Sequence, residues 1–187
     1  MAFELQGKFV RLVMVLAVAS AVMCIHTSEA VAGTLRVCPS GCTYSSIQAA
    51  IDAVQTGDTI TVAAGTYTEN LLIDSQVAAK KLTMIGSGAT RTIVDGSQGE
   101  DECTFEIDEG YTVSISDMTF EKGECPPAGG IFTDATVTLT RVTVTQNHGS
   151  EGGGGIAVDI DGIVTLNNCK VIENSALSQR VGWEAVS

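Results

Sequence analysis

Basic residues are scarce in this chain. Ten Lys and Arg stand against 22 Asp and Glu, a formal charge of −12 over 187 residues. Such a surface repels phosphates, so nucleic acid and anionic lipid are excluded as partners. Solubility is the plainest use of the charge, and cation binding by acidic turns is the sharper one. Histidine is scarcer still: beyond the first 32 residues only His148 occurs. Without a second Cys/His pair, a structural zinc site is not supported. A long apolar run is also missing. The stretch from Leu12 to Ile25 is interrupted by Ser20, and at about 14 residues it falls short of the ~20 a spanning helix needs.

That short run reads instead as the core of a secretory signal. Lys8 and Arg11 precede it, and Ala30-Val31-Ala32 follows at signal-peptidase spacing, with Ser28-Glu29-Ala30 as a second option. Residues 1–32 are expected to be removed after Ala32. The product would be secreted or held in the cell envelope, with no transmembrane helix left. Because Lys8 and Arg11 are offset by Glu4 and Glu29, the mature chain keeps the full negative charge.

Five cysteines remain: Cys38, Cys42, Cys103, Cys125 and Cys169. Export permits disulfides. Pro39 and Gly41 favour a turn that brings Cys38 and Cys42 together. Cys103 with Cys125 is a second candidate pair, one that spacing alone does not support.

The mature chain is repetitive. Three segments align without gaps, beginning at Val113, Val137 and Val164 and running to Gly123, Asn147 and Asn174. Gly129-Gly130-Ile131 and Gly154-Gly155-Ile156 form a second recurring marker, and Ile60-Thr61-Val62 and Leu82-Thr83-Met84 resemble earlier members. Within each unit, apolar residues alternate with Ser, Thr or Asn, the pattern of a strand with one buried face. The alternation then slips by one residue and resumes at Met118, Val142 and Cys169. The slip marks a corner, so a unit of ~25 residues contains two short strands closed by Gly- and Asn-rich turns.

Stacked units place equivalent residues over one another. The inward columns become Val113/Val137/Val164, Ile115/Leu139/Leu166, Met118/Val142/Cys169 and Phe120/Val144/Val171. Each buried side chain contributes roughly 1.5–3 kcal/mol. Cys169, in an inward column, is the expected unpaired cysteine. Asn147 and Asn174 would stack at one turn and hydrogen-bond between coils, while Asp117 and Arg141 would be outward neighbours. An antiparallel sandwich is the alternative, but it needs hairpin turns that this sequence lacks. The expected fold is all-β: a right-handed parallel β-helix, a single-stranded solenoid of about five coils over residues 59–176. Residues 33–58 would form a loop and a short N-terminal capping helix. There Ser45-Ser46-Ile47-Gln48 reads as a capping box, with Ile47, Ala50, Ile51 and Val54 along one face.

Several stretches of this region carry a likeness. Tyr44 to Val54, Gly57-Asp58-Thr59-Ile60, Ala64 to Asn70 and Ile85-Gly86-Ser87-Gly88 resemble the opening of the pectin-lyase-like superfamily. The Gly-Gly-Gly-Ile unit resembles repeats of bacterial right-handed β-helix and polymorphic outer-membrane proteins. The resemblance spans roughly Val37 to Ala176 and implies the fold. For activity it implies only a range, from lyases, hydrolases, esterases and epimerases to non-enzymatic surface proteins.

No catalytic constellation is legible. The galacturonase elements Asn-Thr-Asp, Asp-Asp and Gly-His-Gly are absent, and Asn147-His148-Gly149 reads as a turn. A lyase of the resembled kind would need calcium and a basic residue. Asp159-Ile160-Asp161, with Glu151 from the preceding loop, is the best candidate calcium set; solvated turn residues are the plainer reading. Lys170 and Arg141 are outward bases that nothing ties to those carboxylates. Glu100-Asp101-Glu102, Glu106, Asp108 and Glu109 read as a solvated excursion between coils. Gly152 to Gly155 lacks the Lys-Ser/Thr of a phosphate loop. No cofactor is required. After Ala176 the pattern stops, and the atypical tail 177–187 suggests a truncated or frameshifted reading frame. The expected role is a non-catalytic surface or adhesion-type protein that binds an acidic or neutral polysaccharide or a protein partner. The alternative is a pectate-lyase-like, polysaccharide-active enzyme whose catalytic coils lie elsewhere. The oligomeric state is not legible.

Overall fold

The computed structural model describes residues 32–126, 128–150 and 153–176. Residues 1–31 of the predicted signal segment 1–32, Glu151 and the tail 177–187 lie outside the described residues. The chain opens with β1 (Thr34–Val37) and α1 (Ile47–Ala53). It then winds through about five turns of a parallel β-solenoid. The first turn holds β2 (Thr59–Val62), β3 (Gly65–Thr68) and β4 (Leu71–Ile73), and the second β5 (Lys81–Ile85), β6 (Thr92–Asp95) and β7 (Phe105–Ile107). The third holds β8 (Thr112–Ser116), β9 (Thr119–Glu121), β10 (Glu124–Cys125) and β11 (Ile131–Thr133). The fourth repeats these as β12 (Thr136–Thr140), β13 (Thr143–Thr145), β14 (His148–Gly149) and β15 (Ile156–Val158). The fifth contributes β16 (Ile163–Asn167), β17 (Lys170–Ile172) and β18 (Ser175–Ala176).

Stacking produces four parallel sheets. Their orders are β1-β2-β5-β8-β12-β16, β3-β6-β9-β13-β17, β4-β7-β11-β15 and the short β10-β14-β18. Each of the first four turns therefore carries a third strand that the alternation did not reveal. The Gly-Gly-Ile marker is its entry, and Ile131 pairs in register with Phe105 and Ile156. The glycines are small because the backbones meet there: a Cβ on Gly130 would lie 2.2 Å from the Gly155 carbonyl oxygen.

The aligned repeats do stack. Val113, Val137 and Val164 share one ladder position, as do Ile115, Leu139 and Leu166. Phe120, Val144 and Val171 share another. Through the third and fourth turns these columns, with Met118 and Val142, are fully buried. The fifth turn departs from expectation: Leu166 is 48 % and Val171 44 % exposed, and Val164 and Cys169 are half-buried. Their register is right, but among the described residues no further turn lies over them. Among the described residues Cys169 is the free cysteine, and its thiol reaches the Asn167 carbonyl at 3.5 Å rather than being sealed in the core.

The slip in alternation has a definite backbone cause. Asp117, Arg141 and Asn168 occupy the left-handed region, with φ of 60°, 54° and 53°. A second column, Lys122, Gln146 and Glu173, turns the other corner at φ of 59°, 57° and 56°. Non-glycine residues resist this conformation by roughly 1–2 kcal/mol. A single left-handed residue bends the chain while leaving both flanking strands in register, and the ladders on either side hold it there. Arg141 also grips Asp117 through two charge-assisted hydrogen bonds of 2.7 and 2.6 Å.

Asn147, 1 % exposed, is the inner polar pin of the third and fourth turns. Its Oδ1 accepts from Thr104 Oγ1 and from the Gly123 amide, each at 2.9 Å. Its Nδ2 donates to Asn174 Oδ1 at 2.9 Å and to the Phe120 carbonyl at 3.2 Å.

The N-terminal region differs from expectation in two ways. β1 already belongs to the first sheet, with Leu35 over Ile60 and Val37 over Val62, so the sheet begins ahead of the helix rather than at residue 59. Without β1 the outer edge of β2 would be open. The expected capping box does not form either. Ser46, not Ser45, is the N-cap of α1, accepting from the Ala49 amide at 3.1 Å. The carboxylate comes from a distant residue, Glu69, which receives the Ile47 and Gln48 amides, both at 3.0 Å. Gln48 turns away to Asp52 and to the backbone of Leu72. The helix buries Ile47, Ala50 and Ile51 against β1, β2 and β4.

Disulfides join Cys38 to Cys42 and Cys103 to Cys125. Among the described residues no helix is long and apolar enough to cross a membrane.

Candidate ligand-binding face

The four-stranded sheet presents the most distinctive surface. Its strands place Leu71, Phe105, Ile131 and Ile156 at one ladder position facing the core, while Leu72, Glu106, Phe132 and Ala157 share the next one, facing out. Immediately past each strand comes an aspartate. The Asp108 amide bonds to the Ile73 carbonyl at 2.9 Å, Asp134 to Ile107 at 3.3 Å and Asp159 to Thr133 at 2.9 Å. Register thus carries on beyond the strands, and Asp74, Asp108, Asp134 and Asp159 form a ladder with a rung every ~4.8 Å.

An open cleft of about 660 Å³ runs between this face and α1, lined by Gln48, Asp52, Asn70, Leu72, Asp74, Gln76, Glu102 and Glu106 among others. Two of its three side-chain amides, those of Gln48 and Asn70, are engaged by the fold. Gln48 bridges Asp52 and the Leu72 backbone. Asn70 donates to the carbonyls of Gly96 and Cys103 and accepts from the Gly99 amide. Asp74 accepts from the Gln76 amide at 3.0 Å. The carboxylates of Glu102 and Glu106 remain as acceptors for an incoming ligand, and no Lys or Arg lines the cleft. Burial, then the charges of Asp108, Asp134 and Glu102, push the Glu106 carboxyl above its ordinary range. Burial, then Asp134, Asp74 and Glu109, do the same to Asp108.

The candidate calcium set is not assembled. Asp159 and Asp161 are exposed, and Asp159 closes its own turn, receiving the Ile160 amide on Oδ1 at 2.8 Å and the Gly162 amide on its carbonyl at 3.0 Å. The third member, Glu151, lies outside the described residues. Among the described residues no three His, Cys, Asp or Glu side chains converge to hold a metal ion.

The outward bases are likewise separate from those carboxylates. Arg141 pairs with Asp117. Lys170 is exposed on β17, in a different sheet from β15. His148 lies on the short sheet between Glu124 and Ser175, with Nδ1 2.8 Å from Ser175 Oγ.

No protein-family model matches the chain. No curated protein matches it either.

The aspartate ladder is not apparent in the sequence, where Asp108 reads as part of a solvated excursion. Its signal was present as Ile73-Asp74, Ile107-Asp108, Thr133-Asp134 and Val158-Asp159, an inward residue followed by Asp. Recognising it required the third strand of the first four turns.

Proposed function

We propose that this chain is an exported, non-catalytic β-helix that binds a neutral, hydroxyl-rich polysaccharide along the outward face of its four-stranded sheet. The observation that carries the reading is the cleft beside α1. With the Gln48 and Asn70 amides engaged by the fold, it offers carboxylate acceptors, beside the Gln76 amide, to a ligand, and Leu72 supplies an apolar patch for a sugar ring. Hydroxyl groups donate to such acceptors, whereas a polyuronate would bring its own carboxylates against Glu102 and Glu106. Two disulfides fit an oxidising, extracytoplasmic location. The rival reading is a pectate-lyase-like enzyme, which needs a bound cation and a base beside it.

Binding of the mature chain to immobilised neutral glucans and mannans, set against polygalacturonate, tests this. Retention on a neutral polymer that is lost in Glu106→Lys supports the proposal. Retention on polygalacturonate instead, or ultraviolet absorbance from unsaturated product in the presence of calcium, would overturn it.

A further inference from the structure

Exposed apolar surface gathers at the open edge of the fifth turn. Of the eight large apolar side chains exposed among the described residues, Val158, Ile160, Ile163, Leu166, Val171 and Ile172 sit at this end. Leu166 and Val171 close core columns, while Ile163 and Ile172 stand on the outer side of the same strands. The edge strand β16 is also unguarded. Ile163-Val164-Thr165-Leu166-Asn167 carries no charge and no proline, the usual defences of such an edge. Its backbone polarity is fixed by the turn beneath it: the Ile163 amide donates to the Ala135 carbonyl, and the Asn167 carbonyl accepts from the Arg141 amide. Alternation then turns the amides and carbonyls of Val164 and Leu166 toward the open side. The opposite end of the solenoid is closed to such pairing. Tyr44 occupies the outer edge of β1, its amide donating to the Arg36 carbonyl and its carbonyl accepting from the Cys38 amide, and α1 packs beside it.

We propose that the fifth-turn end is an interface between two copies of this chain, in which β16 pairs antiparallel with its counterpart about a twofold axis through Thr165. With that centring Val164 exchanges both backbone hydrogen bonds with the partner's Leu166, and Leu166 does so with the partner's Val164. The side chains of these two residues meet on the core side. Thr165 meets the partner's Thr165 on the outer side, a favourable cross-strand pair. The inference does not depend on which ligand the four-stranded face binds.

Charge agrees with the same axis. Asp159 and Asp161 lie in the turn just before β16, and Lys170 opens β17 just after it, all three exposed. A twofold axis at the middle of β16 exchanges those two corners, so Lys170 of each copy faces the partner's Asp159 and Asp161. The ion pairs of the described residues leave Lys170 out, joining Lys122 to Asp95 and Glu121 and Arg141 to Asp117. Because the β1 end is closed, the contact is isologous and stops at two copies rather than growing into a filament. The net charge of −12 per chain opposes approach at long range, and physiological salt, with a Debye length of ~8 Å, screens that repulsion.

Light scattering on the mature chain in about 0.15 M salt tests the interface. The mass should be that of two copies at about 100 µM protein. Leu166→Glu, which sets a carboxylate against the partner's Val164, should weaken association by roughly 30-fold or more. Lys170→Glu and Asp161→Lys should each associate more weakly than the parent. Their equimolar mixture should recover the two-copy mass, because opposite charges then meet again, and no folding defect in either variant would be repaired by mixing. Asp161 is chosen over Asp159, whose carboxylate closes its own turn. A parent that stays a single copy at that concentration would overturn the proposal, including one that pairs only once residues 177–187 are removed, which would assign the face to that segment. So would a mass that keeps growing with concentration, or a mixture that associates no better than its components.

Discussion

At the residue scale, two side-chain choices in this solenoid leave no tolerance. Asn147, on the fourth turn, holds partners on the second, third and fifth, among them Thr104, Gly123 and Asn174. Asn147→Ala therefore strands several buried polar groups at once, each costing ~1–3 kcal/mol. The variant should lose about 3 kcal/mol or more in urea unfolding. Asn174→Ala, at the half-buried fifth turn, should lose about 1 kcal/mol, because water reaches the freed groups. Equal losses at the two positions would show that burial does not set the cost. Gly130 is constrained from the other direction. An added Cβ would overlap the Gly155 carbonyl oxygen at 2.2 Å and press on Val144 Cγ1 at 2.7 Å. Neither the backbone nor the packed valine can move without opening the stack, so Gly130→Ala should cost at least ~2 kcal/mol. The measurement is the urea midpoint at unchanged denaturant slope.

At the scale of elements, the helix and the disulfides carry separable loads. Glu69 anchors α1 by receiving the Ile47 and Gln48 amides and the Ser46 hydroxyl. Glu69→Ala should lower stability by about 2 kcal/mol, roughly 4–8 °C in thermal midpoint, and Glu69→Gln should recover part of that. The Cys103–Cys125 bridge closes a separation of 22 residues and Cys38–Cys42 one of 4. Loop entropy then makes opening the first cost ~3 kcal/mol and the second ~2 kcal/mol. Paired Cys→Ser variants compared by urea unfolding check the order, which a larger loss at Cys38–Cys42 would reverse. These elements also show what the sequence could and could not disclose. Strands β8, β9, β12 and β13 were legible because inward residues alternate and repeat in register. The third strand of the first four turns was hidden because its Gly-Gly-Ile entry, where present, reads as part of a turn. The helix face was readable from its spacing, but its cap was not, since Glu69 lies 22 residues from Ile47 and meets it only once the first turn has closed. The aspartate ladder was hidden for the same reason: its rungs become neighbours through stacking, and no local pattern joins them.

At the scale of the whole molecule, the charge of −12 sets the terms. Repulsion is strongest along the ladder, where a rung spacing of ~4.8 Å is well inside the ~10 Å screening length of 0.1 M salt. The opposing attractions are few. Lys122 with Asp95 and Glu121, and Arg141 with Asp117, sit on bases that are 45 % and 58 % exposed, and pairs of that kind contribute about 0–1 kcal/mol each. Screening therefore removes more repulsion than attraction. The thermal midpoint near neutral pH should rise as sodium chloride increases from about 20 mM to about 0.5 M, the range over which the Debye length shrinks from beyond the rung spacing to comparable with it. Chloride is the salt to use, because sulfate would stabilise through exclusion from the surface as well. The rise should be smaller in Asp134→Asn, which takes one charge out of the strip. A midpoint that falls with salt would mean that the exposed pairs outweigh the ladder, and the acidic face would then be a passive surface rather than a strained one.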